Sequence, residues 1–157
     1  KSDSNIFICN KSLLNKFKIN KILSKAYKKK FKIITVKRVT KGQANTCLLA
    51  EKLLKKDDEI FIHSCDSLIK YNHTELKKKM NDSDAIIFTT KPNSLHLKNI
   101  NSFGWVNYKN NKINKITCKK KASPKPNEDY VVIGSFAFKN KKIYSEIIRD
   151  LFKSKKK

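Results

Sequence analysis

EIFIHSCDSLI, residues 59–69, begins as an apolar strand-forming run, breaks off at His63-Ser64-Cys65, delivers one carboxylate at Asp66 and turns apolar again. β-Branched and aromatic residues suit a half-buried pleated surface, so the run predicts a strand over 59–64 that ends in a loop carrying Asp66. On either side of it, strand-like and helix-like segments alternate. Upstream, residues 5–9 (NIFIC) and 31–36 (FKIITV) predict strands, with a helix between them over 20–27, where Ile22, Leu23 and Ala26 fall at helical spacing. A turn carrying Thr40 and Gly42 then leads into a predicted helix over 43–55. Downstream, a helix is predicted near 74–80, with His73 at its start, followed by a strand over 84–90 (DAIIFTT). Parallel strands need a crossover and a helix supplies one, so this alternation predicts an α/β protein with a mainly parallel sheet.

Beyond Pro92 the pattern changes. Residues 103–109 (FGWVNYK) and 112–119 (KINKITCK) predict a hairpin turned by Asn110-Asn111, because asparagine tolerates the positive φ of a tight turn. A polar loop with Pro124 and Pro126 leads to 130–138 (YVVIGSFAF), apolar enough for a central strand. A last helix is predicted over 142–152 from Ile143, Ile147, Ile148 and Leu151, and His96 is placed in a polar loop. With no internal repeat and no linker, residues 1–157 are expected to form a single domain.

The chain carries 37 lysines and arginines against 13 acids, a formal net charge of +24. Only Arg38 and Arg149 are arginines, although arginine is the side chain preferred for bidentate contact with phosphates and guanine edges. Lysine, asparagine and isoleucine share A/T-rich codons and all crowd this sequence, so the charge reads as solvated lysine faces, and a nucleic-acid partner is not expected. No apolar run of about 18 residues is present to span a bilayer, and the N-terminal residues lack the layout of a secretory signal. A cytoplasmic protein with no membrane partner is expected. Cys9, Cys47, Cys65 and Cys118 form no C-x-x-C pair and are expected to be reduced, mostly buried thiols. His63 and Cys65 share one face of their strand, but no second ligand pair lies near, so no zinc site is expected. Trp105, Tyr108, Phe136 and Phe138 could stack bases, though packing in the sheet core is the commoner fate.

In open α/β sheets, ligands bind outside the carboxyl ends of the strands. A carboxylate just past such an end is suited to a magnesium ion bridging substrate phosphates. On position alone, Asp66 equally suits a turn or a helix N-cap.

Four stretches, taken in order, carry a resemblance: VTKGQANTCLLAEKLL (39–54), FIHSCDSLI (61–69), FGWVNYKNNKINKITCKKKASP (103–124) and YVVIGSFAF (130–138). Together they resemble the sugar-phosphate nucleotidyltransferase superfamily, enzymes that make nucleoside-diphosphate sugars. The resemblance implies a three-layer α/β/α fold of the Rossmann-like nucleotide-diphospho-sugar transferase type, with a mixed, mainly parallel sheet. It also implies a nucleoside triphosphate and a sugar phosphate as substrates, Mg²⁺ as cofactor, and a place in nucleotide-sugar and polysaccharide biosynthesis. Carried over residue by residue, it makes Gly42 and Gln43 nucleotide-binding, Asp66 the catalytic metal ligand, Lys119 a catalytic cation near the phosphates, and Gly104 and Gly134 sugar-binding.

Three departures accompany the resemblance. Cys118 stands where the family usually has a glutamate that accepts sugar hydroxyls, and a thiol is a poor acceptor. The family's N-terminal glycine-rich loop has no counterpart among the three glycines, and its second metal-binding aspartate has none either. The sequence is therefore expected to be an internal part of a longer enzyme, inactive alone. Two other readings stay open. A nucleotide-sugar-dependent glycosyltransferase usually presents Asp-x-Asp, where this chain has Asp66-Ser67-Leu68, and a non-catalytic basic module would bind nucleic acid without responding to nucleotides.

Overall fold

The computed structural model describes residues 4–28, 30–110 and 112–154. In chain order the elements are β1 (Asn5–Asn10), α1 (Lys11–Lys16), α2 (Ile19–Tyr27), β2 (Phe31–Val36), α3 (Gln43–Leu48), β3 (Ile60–Ile62), α4 (His73–Asn81), β4 (Ala85–Thr90), α5 (Ser94–Lys98), β5 (Gly104–Lys109), β6 (Lys112–Cys118), β7 (Tyr130–Phe138) and α6 (Lys141–Ser154). They divide into two compact units, Lys1–Asp58 with Tyr144–Lys157, and Glu59–Ile143.

In the first unit β1 and β2 pair in parallel, from Asn5 opposite Phe31 to Asn10 opposite Val36. The crossover that parallel pairing requires is made by two helices, where the sequence predicts one over 20–27. The Asn10 side chain starts α1 by accepting the Ser12 N–H at 2.9 Å, and left-handed Lys18 (φ 51°) separates α1 from α2. Phe7, Tyr27 and Phe31 meet edge to face, with centroids 5.0 to 6.5 Å apart. α3 stops at Leu48 and the chain tightens into a 3₁₀ turn at Glu51–Leu53, so the predicted helix over 43–55 is divided. The Glu51 carboxylate accepts the Ser145 hydroxyl at 2.5 Å and lies 3.8 Å from Arg149 Nη2, both on α6. Burial, with Cys47 and Glu51 close by, pushes the Tyr144 phenol up, and burial alone pushes the Cys47 thiol up.

The second unit is built around β7. β4 runs along one of its edges, from Ala85 opposite Phe138 to Thr90 opposite Val131, with a bulge between Ile87 and Thr89. The other edge is shared, with β3 on Phe136 to Phe138 and β5 on Tyr130 to Val132. β6 pairs with β5, and all these pairings are antiparallel. The expectation of a mainly parallel sheet is thus corrected: among the described residues only β1 and β2 pair in parallel. β3 and β4 do run in the same direction, as a helical crossover demands, but β7 is inserted between them. At nine residues, with Val131, Ser135, Ala137 and Phe138 buried, it has most to gain from neighbours on both edges.

Trp105 is 0% exposed and packs with Ala122, Val131, Ile100 and Phe103, its indole N–H donating to the Ile100 carbonyl at 3.0 Å. It is core, the commoner fate of such an aromatic, whereas Tyr108 remains 42% exposed. The hairpin turn has Asn110 at φ 52°, and Asn111 lies outside the described residues. His96 is not in a loop: it sits in α5, where Asn93 and His96 cap each other reciprocally, at 3.0 and 3.1 Å. The cysteines are free thiols, but Cys65 and Cys118 are exposed and Cys9 and Cys47 only half-buried, which corrects the expectation of burial.

Candidate active site

β3 ends with Ile62 opposite Phe136, and β5 begins with Gly104 opposite Val132, on the same edge of β7. Between them lie residues 133–135 of β7, outside the β3 pairing at Phe136 to Phe138 and the β5 pairing at Tyr130 to Val132. Gly134 stands at the centre with φ 74°, a left-handed conformation that suits glycine. The turn over 63–67 closes on this gap. His63 Nδ1 lies 2.7 Å from the hydroxyl of Ser135, which is 0% exposed, and the Ser67 hydroxyl donates to the Ile133 carbonyl at 3.4 Å. His63 Nε2 lies 2.7 Å from the Ser67 carbonyl. A carbonyl only accepts, so Nε2 carries the proton of that bond.

Asp66 is on the outside of this turn and exposed. The Ser64 hydroxyl donates to its Oδ1. That bond first, then a backbone hydrogen bond and to a lesser extent the nearby His63, hold the carboxyl below the usual aspartate range. Because the folded value is lowered, the ionised form's extra stability is present above the unfolded aspartate value of about 3.9 and is lost as pH falls through the folded value. An NMR titration of the Asp66 carboxyl is expected to show a midpoint below about 3.9 that moves upward in Ser64→Ala. A Ser64→Ala midpoint identical to wild type would remove Ser64 as the cause.

Gly104 opens β5 under tight packing. A Cβ there would lie 3.2 Å from Val132 Cγ2 and 3.3 Å from Val132 Cβ. The β-branched valine has little freedom to move away, so Gly104→Ala is expected to cost about 1–3 kcal/mol in a urea melt. An unchanged melt would show that β7 gives way without strain. Lys119 follows β6 with φ 57°, and its N–H donates to the Phe103 carbonyl at 2.9 Å. Cys118, exposed, pairs directly with Gly104. Asp66, Gly104, Gly134 and Lys119 therefore all belong to the stretch of sheet at and beside the gap.

Gly42 and Gln43 belong to the other unit. Gly42 has φ 123° and ψ 173°, a region essentially closed to other residues, and nothing lies within 4 Å of where its Cβ would be. The Thr40 and Thr46 hydroxyls bond each other and reach the Gly42 carbonyl at 3.3 and 3.2 Å, so the loop is tied from within and open outside.

Two features escaped the sequence reading. His63 and Ser135 anchor the Asp66 turn, which no local pattern announces across 72 residues. Asp129, 0% exposed, accepts Asn107 Nδ2 at 2.7 Å and both the N–H and hydroxyl of Ser123 at 2.9 Å, fastening the basic exit of β6 to β5. Its only signal is an acid immediately before the YVVIG run. A separate open groove of about 620 Å³, lined in part by Tyr71, Phe88, Tyr108 and Tyr130, includes none of the predicted site residues.

The model of the nucleotidyl transferase family matches residues 1–157. The chain belongs to the nucleotidyl transferase family. No curated protein matches it significantly in sequence. Among solved structures it is similar to a protein from Bacillus anthracis described as a glucose-1-phosphate thymidylyltransferase, with a TM-score of 0.69 and 18% identity over 90% of this chain and 54% of that one. It is also similar to a nucleoside-diphosphate-sugar pyrophosphorylase from Vibrio cholerae RC9, with a TM-score of 0.69 and 16% identity over 94% of this chain and 58% of that one. At such identities the likeness is one of fold, and this nucleotidyl transferase chain spans little more than half the length of either structure. The α/β class of the Rossmann-like nucleotidyl transferases is the one predicted. No described helix is long and apolar enough to cross a membrane.

The donor set of the nucleotidyl transferase decides which metal suits it. Among the described residues no three His, Cys, Asp or Glu side chains gather to hold an ion, and both ring nitrogens of His63 are engaged. Asp66 offers one ionised, solvent-facing hard oxygen group. That fits magnesium, which keeps several waters and commonly takes one or two carboxylates plus phosphate oxygens, and does not fit a protein-caged zinc.

Proposed function

We propose that the chain serves the transfer of a nucleoside monophosphate from a nucleoside triphosphate to a sugar phosphate or a similar phosphorylated alcohol, releasing pyrophosphate. The observation that carries this reading is the Asp66 turn, closed on β7 at Gly134 between the end of β3 and the glycine start of β5. The sugar-phosphate oxygen bonds to the α-phosphorus, the bridging bond to the β-phosphate breaks, and pyrophosphate leaves with the electron pair. No protein nucleophile is needed, because positioning and electrostatics carry most of such chemistry. Asp66 would hold Mg²⁺, which when bound neutralises charge on the phosphates. Lys119 supplies a second cation to them. Gly42, with Gln43 beside it, leaves open the space a base would enter, and Gly104 and Gly134 bring backbone to the sugar. Cys118 in place of an acceptor alters how the sugar hydroxyls are bound. We place the activity in the cytoplasm, within nucleotide-sugar and polysaccharide biosynthesis.

The test is pyrophosphate release, by the protein at its natural length, from a panel of nucleoside triphosphates and sugar phosphates. Release is expected to require one member of each class together with Mg²⁺. Release that ignores the sugar phosphate, or none with any pair, would count against the reading.

A further inference from the structure

We propose that His63 is a positioning residue for the metal carboxylate, its imidazole acting as a two-ended tie that fixes the Asp66 turn to β7. This rests on the reading of Asp66 as the metal ligand. The turn over 63–67 follows the last β3 pairing, Ile62 with Phe136, and among the described residues side-chain bonds link it to β7. One end of the ring meets the buried Ser135 hydroxyl in β7 at 2.7 Å, and the other closes the turn by donating to the Ser67 carbonyl at 2.7 Å. Asp66 is the residue just before that carbonyl, and its side chain is steadied by Ser64 inside the same loop. Phe61, two residues earlier, stacks on the ring with centroids 6.2 Å apart and planes 23° from parallel, which restricts its rotation. The ring itself is exposed, so its bonds organise the turn and do not fill the core. Residues that orient a metal ligand typically change metal affinity 10–100-fold when lost, without touching the ion.

The experiment titrates the 157-residue chain with Mn²⁺ alone, reading paramagnetic broadening of the backbone amides of residues 64–67 by NMR, next to a thermal melt. His63→Ala is expected to weaken Mn²⁺ binding roughly tenfold or more, Ser135→Ala to weaken it in the same direction by less, and His63→Gln, whose amide can remake one tie, to recover part of the loss. Asp66→Asn is expected to remove the broadening. If His63→Ala is unfolded, the Gln and Ser135→Ala variants carry the comparison. His63 and Ser135 variants that bind Mn²⁺ like wild type, while Asp66→Asn does not, would overturn the positioning role and leave the metal reading standing. A wild-type chain with no Mn²⁺ effect at these amides, or an Asp66→Asn variant that keeps it, would overturn both.

Discussion

Asp66→Asn is expected to lower Mg²⁺-dependent pyrophosphate release by roughly 100-fold or more, while the melting temperature stays close to wild type. The substitution preserves shape and removes the charge that attracts the cation, and the loss of one preorganised electrostatic partner commonly costs about 10²–10³ in rate. Stability is spared because the side chain is exposed at a strand-end turn, and surface substitutions mostly stay within about 0.5 kcal/mol. The measurement, on the protein at its natural length, is pyrophosphate production against Mg²⁺ concentration, with a melt on the same preparation. An Asn variant that retains the rate would make Asp66 a turn residue and nothing more.

The largest loss of stability is expected at Asp129. Removing its carboxylate leaves Asn107 Nδ2 and two donors of Ser123 without their acceptor in a fully buried site. Hydrogen bonds to charged groups contribute about 1.5–3 kcal/mol each and unsatisfied buried donors cost further, so Asp129→Ala should lose roughly 3 kcal/mol or more. For a chain of this size that is a fall of about 6–12 °C in melting temperature. Asp129→Asn keeps the shape and one acceptor and should fall between the two. A melt of Asp129→Ala within 2 °C of wild type, on the order of 0.5–1 kcal/mol, would show that solvent reaches these groups once the carboxylate is gone.

Local pattern carried the elements well where burial follows a simple period. FKIITV became β2 at the predicted bounds, and YVVIGSFAF became the central strand its apolarity predicted. Pattern could not carry the pairing. The neighbours of β7 are set by Ile60 to Ile62 and Ala85 to Thr90, far away in sequence, and nothing local tells a strand inserted between two parallel partners from one added at an edge. α5 was missed because its reciprocal cap uses His96 where glutamate or glutamine is usual, so a polar stretch read as a loop. Of the candidate site, local pattern offers one acid after a strand, Asp66, whose position equally suits a turn. The support of that acid is not legible, because His63 and Ser135 lie 72 residues apart and no local pattern joins them.

The central position of β7 also sets the order in which the second unit can be assembled during synthesis. β3 and β4 leave the ribosome long before the strand that joins them, and Ser135 follows His63 by 72 residues. At ribosomal rates of about 5–20 residues per second, that interval lasts on the order of 4–15 seconds. Through it the IFI segment, joined by AIIFTT once residues 85–90 are made, exposes unpaired backbone edges of the kind that recruit other strands. A nascent chain stalled before residue 130 would therefore be a target for chaperones or a seed for aggregation, and the appearance of YVVIGSFAF would end that exposure in a single late step.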